Sequence, residues 1–412
     1  METEPRVPVL DPTGADRQAE AAHLRTRGPA TPVELPGGVQ AWSVTHHDLI
    51  KQLTVDRRVS RDPRRHWPAL ADVPRDWPLN VWVRVTSAFT SYGAEHRRLR
   101  KLISVAFTPH RTREMRPKVE AIVAALMDHL VTAAESGLPV DLRAHFAHPI
   151  PTEVICDLFG VPEDMRPETR RVIDAALDTA ATPEQAAADF TDLLTCMSAL
   201  VTTKRARPGP DMTSDLIAAR DGSDQLDEEQ LISTLILMIG AGSETAVNLI
   251  TEATLALLTH PDHRAALAAG TITREDVIEE TLRWQSPIMH MPLRYAVEDI
   301  DLGDGVLIRR GEAILLAFGA AGRDPALHGA TADDFDPTRA DKEHLAFGYG
   351  VHYCLGAPLA RMEADIALRS LFARFPHMRL AVPRTELRPQ QSFIANSHQE
   401  LPVVLDPTVR PR

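Results

Sequence analysis

The strongest constraint on the fold is the stretch from residue 227 to residue 258, whose apolar pattern predicts a single helix. Globular helices average about 12 residues, so this one needs a large body around it. Its apolar residues surround a block of small and polar ones, Gly240-Ala241-Gly242-Ser243-Glu244-Thr245, read as an interruption. Taken alone, the block fits a kinked helix with a solvated glutamate. It equally fits a helix that passes close over a flat group, with a polar break opening a groove in the hydrogen-bond ladder. The longest largely apolar run within it, Leu231 to Gly242, is about a dozen residues, too short to span a bilayer.

The remaining pattern is mostly helical. Pro36-Gly37-Gly38 predicts a turn, and the alternation of residues 39–44 a strand after it. Residues 63–92 mix tryptophans with prolines and read as an irregular loop with short helical pieces. Helical periodicity runs from Glu95 to Leu130 with a break at Thr108-Pro109, and continues through about residues 150–200. Further helices are expected over about 273–285 and from about Leu355 to Phe375, with short strands and turns between 293 and 318. Aromatic residues make up only 5% of the chain, which favours helices over a sandwich. Without repeats or a credible linker, residues 1–412 are expected to form one mainly α domain with small β-sheets and no fused reductase domain.

A net charge of −12 with no long basic run argues against nucleic acid as a partner. Three cysteines, Cys156, Cys196 and Cys354, are an odd number and argue against a disulfide framework. With no apolar segment after a basic start, the chain reads as cytoplasmic, with no membrane partner.

Chemistry concentrates in Phe347-Gly348-Tyr349-Gly350-Val351-His352-Tyr353-Cys354-Leu355-Gly356-Ala357-Pro358. The glycines permit a tight loop with backbone amides close to its centre. Pro358 is tolerated only in a first helical turn, so Cys354 falls where a helix begins. There the N–H groups and dipole should lower the thiol pKa and favour a thiolate. A buried, inert cysteine in a glycine-rich turn fits the loop equally well.

The spacing Phe347, Gly350, Cys354, Gly356 resembles the haem-binding signature of the cytochrome P-450 superfamily, and the likeness to its soluble actinobacterial members extends over nearly the whole chain. It implies haem b between the long helix and the cysteine-loop helix, with Cys354 as the iron ligand. Phe347, Gly348 and Gly356 of the loop, and Ala241 and Gly242 of the long helix, would lie against the cofactor. Glu280 and Arg283 match the family's buried ion pair, joined by Arg339. Thr245 would hydrogen-bond dioxygen and Glu244 would relay protons, while His96, Arg100, Arg294 and His352 would meet the haem propionates. Electrons would come from a ferredoxin and its NAD(P)H-dependent reductase.

The implied activity is a monooxygenase of secondary metabolism that hydroxylates, or oxidatively couples, a mostly hydrophobic small molecule. Steroids, macrolides and aromatic cyclic dipeptides are the expected kinds. Substrate contacts are expected from Val85, Ala88, Phe89, Met238, Ala241, Ile288, Met289 and Ile394, with Gln399 or Asn396 meeting polar tips. Each of these also fits an ordinary core position. A non-catalytic haem-thiolate sensor would explain the cysteine loop but leave Glu244 and Thr245 idle. A helical binding protein without haem would leave every motif unexplained.

Overall fold

The computed structural model describes residues 7–104, 107–176, 178–220 and 226–406. The fold is mainly helical, with three small sheets. The largest sheet orders its strands Ala30–Leu35, Val39–Val44, Ala313–Leu316, Met291–Ala296 and Val59–Ser60. Only the Val39–Val44 and Ala313–Leu316 pair is parallel. The first two strands form a hairpin in the register Ala30 to Val44. Gly37 (φ 78°) and Gly38 (φ 79°) make its turn in a backbone region that favours glycine.

The long helix is Glu228–Thr259, 32 residues, opened by a reciprocal cap between Asp227 and Gln230. The expected interruption is absent. The helix is continuous through Gly240 to Thr245, and Ser243 and Thr245 turn their hydroxyls back onto the carbonyls of Ile239 and Ala241 at 3.0 and 2.8 Å, satisfied within the helix. Gly242 serves close packing, since a Cβ there would sit 2.4 Å from Cδ1 of Ile155 on the helix Pro149–Leu158. By length and composition the helix could cross a membrane, which the shorter apolar run did not predict, yet 72% of its apolar window is buried within the fold. That burial accounts for its apolarity.

Thr108 caps the helix Pro109–Ala134, with its side chain accepting from the N–H of Arg111, which explains the break read there. The span around 150–200 holds three helices, Pro149–Leu158, Arg166–Ala175 and Pro183–Ala206. The core joins the Pro109–Ala134, long, Arg274–Trp284 and Ala357–Arg374 helices.

Glu280 and Arg283, on Arg274–Trp284, are fully buried and paired through two 2.7 Å bonds. Arg283 also donates to the carbonyls of Gly322, Ala332 and Asp334. Glu280 accepts from the N–H of Asp336, and Arg339 lies 3.7 Å from its carboxylate. One residue pair thus ties a helix to the segment leading to the cysteine loop. Gly322 cannot be replaced without disturbance, as a Cβ would lie 1.9 Å from the Arg283 carbonyl oxygen.

Candidate active site

A cavity of about 1330 Å³, open mouth included, lies between the long helix and the cysteine loop. Its wall on the loop side is built by backbone geometry. Gly348 and Gly350 adopt φ of 71° and 72°, and a Cβ on Gly350 would press on Val55 and Thr54. The N–H of Cys354 donates to the Phe347 carbonyl at 2.9 Å, closing the loop. Gly356 then caps the helix Ala357–Arg374, with Pro358 in its first turn.

Cys354 borders the cavity, while Cys156 and Cys196 are buried elsewhere. The expectation of a lowered thiol pKa is not met. Cys354 is exposed to the open cavity, yet desolvation by the surrounding loop pushes its thiol up, outweighing the N–H groups of Gly356 and Ala357 and the charge of Arg100, which act the other way. That balance describes the free thiol; coordination to a cation would deprotonate it.

The opposite wall comes from Ala241, Gly242 and Thr245 of the long helix, with Met238 beside them. Glu244 points away from the cavity. It is 4% exposed and pairs with the Arg143 guanidinium and the Gln390 amide, while Arg143 also donates to Asn248. Its carboxylate lies within 4.8 Å of ligand atoms of His148 and Asp174, the latter exposed.

At one edge the cavity meets a cationic cluster. Arg100, Arg294 and His352 line it, and His96, behind them, has its ring 4.2 Å from that of His352. His96 lies on the helix Gly93–Ser104, and Arg100, one turn on, donates to the Tyr353 carbonyl. Burial, then the neighbouring Arg100 and Arg61, hold His96 down to about 4, and burial and the same arginines hold His352 well below its ordinary range. Burial thus disfavours the charged form of both rings. His96 Nε2 and Arg294 Nη1 are buried without a partner. Such orphans are costly unless an anion meets them, and the two carboxylates of haem fit.

The substrate candidates divide. Ala88, Phe89, Met238, Ala241 and Ile288 line the cavity. Val85, Met289 and Ile394 do not; they pack into the core. Gln399 donates to the Pro389 carbonyl, and Asn396 to that of Ser286, so neither reaches the cavity. Sequence reasoning missed Arg61, which lines the cavity, and Glu279, whose carboxylate binds Arg361 and His344 and so holds the cysteine loop to the Arg274–Trp284 helix.

Glu363 also lines the cavity, fully buried with Oε1 unpartnered, and burial pushes its carboxyl up to about 8. The folded chain therefore holds a proton there that the unfolded chain releases near 4.5. Its contribution to stability is full below about pH 4.5 and is lost as pH rises through about 8. Glu363→Gln, which cannot ionise, should flatten the fall of the urea midpoint between about pH 5 and about pH 9; an unchanged slope would contradict this.

A cysteine on one wall, a close-passing helix opposite and a cationic edge form the arrangement of a haem-thiolate enzyme. The family model for cytochrome P-450 matches residues 274–399. The chain is 46% identical over 398 residues to the 2-hydroxy-5-methyl-1-naphthoate 7-hydroxylase of Streptomyces carzinostaticus, covering 96% of this chain and 97% of that protein. It is 38% identical over 394 residues to the 6-deoxyerythronolide B hydroxylase of Saccharopolyspora erythraea, covering 93% and 95% respectively. The solved structure of CYP154A1 from Streptomyces coelicolor A3(2) matches at TM-score 0.93 and 52% identity, covering 97% of this chain and 100% of that one. Testosterone-bound CYP154C4 from a Streptomyces species also matches at 0.93, with 42% identity over 98% and 99% of the two chains. The chain belongs to the cytochrome P-450 family and is a haem-dependent monooxygenase.

Proposed function

We propose that this enzyme hydroxylates a small, mostly apolar secondary metabolite, and that Cys354 is the residue that would hold its haem iron. The observation that carries the reading is the cavity itself, bordered by the Cys354 sulfur on one wall and by Ala241 to Thr245 on the other. Arg100, Arg294, His96 and His352 would hold the propionates through hydrogen bonds, those from the arginines charge-assisted. Phe347, Gly348 and Gly356 would pack against the cofactor from the loop side. Bound haem supplies dioxygen activation, and a thiolate ligand favours O–O cleavage.

The protein's own groups supply position and protons. Thr245 Oγ1, released from the Ala241 carbonyl, donates into the cavity. Glu244, paired with Arg143 and turned from the cavity toward His148 and Asp174, would resupply that proton from their side once it turns toward Thr245. Ala88, Phe89, Met238 and Ile288 exclude water and orient the substrate. The net reaction joins one oxygen atom to the substrate and reduces the other to water with two electrons and two protons. A separate ferredoxin, reduced by an NAD(P)H-dependent reductase, delivers the electrons. Three unpaired cysteines suit the reducing cytoplasm.

The relatives named as hydroxylases of 2-hydroxy-5-methyl-1-naphthoate and 6-deoxyerythronolide B support bulky secondary metabolites as the substrate class. Ferrous-carbonyl spectroscopy tests the ligand: the wild type should show the thiolate-type band, and Cys354→His should lose it while still binding haem. A wild type without that band would overturn the assignment. Turnover with ferredoxin, reductase and NADPH on naphthoate, macrolactone and steroid substrates then tests the chemistry.

A further inference from the structure

Arg61 follows the two-residue strand Val59–Ser60, and its side chain enters the cavity beside Ala88 and Phe89. It is 5% exposed. One Nη2 bond of 2.7 Å to the Pro292 carbonyl and the face of the Phe89 ring, 3.3 Å from the guanidinium carbon, hold it in place. Both partners are uncharged. Its Nε is buried with no partner. A buried guanidinium without a counter-charge is costly, and it is kept where an anion arrives to meet it.

No lining group supplies that anion. Among the described residues that line the cavity Glu363 is the one carboxyl, and burial pushes it up to about 8. The neighbouring Tyr295 phenol is pushed far above its ordinary range by burial and stays neutral. Haem brings two propionates, for which Arg100 and Arg294 already stand ready beside His96 and His352. Three guanidiniums against two propionates leave one positive charge, and Arg61, though it also neighbours His352 and Arg294, is the one that stacks on Phe89.

We propose that Arg61 anchors a carboxylate on the substrate, so that the site selects small, largely apolar monoacids. This rests on the haem-thiolate reading above. An Arg–carboxylate pair in a water-poor cavity has both charge and fork geometry in its favour, while the apolar lining takes the rest of the molecule.

The test compares 1-naphthoate with 1-naphthamide, a neutral probe of nearly the same shape, on the haem-loaded enzyme. Binding is read by the haem absorption shift and independently by equilibrium dialysis. The wild type should bind the acid at least about tenfold more tightly than the amide. Arg61→Met should remove that gap while haem content and the thiolate-type carbonyl band persist, and Arg61→Lys should restore part of it. Equal affinity of the wild type for both probes, or binding of neither, overturns the proposal. So does an Arg61→Met enzyme that loses haem faster to apomyoglobin yet keeps its preference for the acid, since Arg61 would then belong to a propionate. A wild type without the thiolate-type band fails the haem-thiolate reading instead, before either probe is added.

Discussion

Glu280→Ala should lower stability by about 3–5 kcal/mol, because it strands a buried charge. Arg283 would remain fully buried, its carbonyl partners intact but its counter-ion gone. Arg339, now 3.7 Å from the Glu280 carboxylate, would face that uncompensated guanidinium. The Asp336 N–H would lose its acceptor as well. Against a typical total of about 5–15 kcal/mol, such a loss is a large fraction. Purified Glu280→Ala should show a lower urea midpoint and reduced haem per chain. Glu280→Gln, which keeps an acceptor and the shape, should fall between it and the wild type. Full haem content with an unchanged midpoint in Glu280→Ala would remove the pair from any structural role.

How far the site was legible depended on how local its determinants are. The cysteine loop, its helix start at Pro358 and the Glu280–Arg283 spacing each lie within a dozen residues or one helical turn. Their residue types carry the geometry with them. The placements the sequence left unread are those decided by distant partners. Arg61 is held by Pro292, 231 residues away, and Glu244 by Arg143, 101 away. Nothing local marks either one. Val85, Met289 and Ile394 were expected at the substrate because they are apolar, but apolar lining and apolar core share the same composition. Side-chain direction separates them, and the fold turns these three inward. The small-residue block of the long helix read as a break for a related reason. Gly242 is there to admit Ile155, and sequence alone cannot tell a close approach from a kink.

Thr245→Val should cut product formation by on the order of 10²-fold while NAD(P)H consumption continues. The substitution keeps the branched shape on the cavity wall and removes only the hydroxyl, which now donates to the Ala241 carbonyl at 2.8 Å. On the role proposed for Thr245, its loss should let the two electrons and two protons leave with dioxygen as hydrogen peroxide. Measured peroxide should therefore account for the reducing equivalents missing from product. Thr245→Ser should recover most of the coupling, and Thr245→Val should leave haem content, the carbonyl band and the urea midpoint near wild type. Glu244→Gln should behave differently, because the Glu244 carboxylate is the buried counter-ion of Arg143. It should uncouple the reaction and also lower stability, so comparing the two variants separates proton delivery from the ion pair that supports it. A Thr245→Val enzyme that stays fully coupled would move the proton donor elsewhere on the cavity wall.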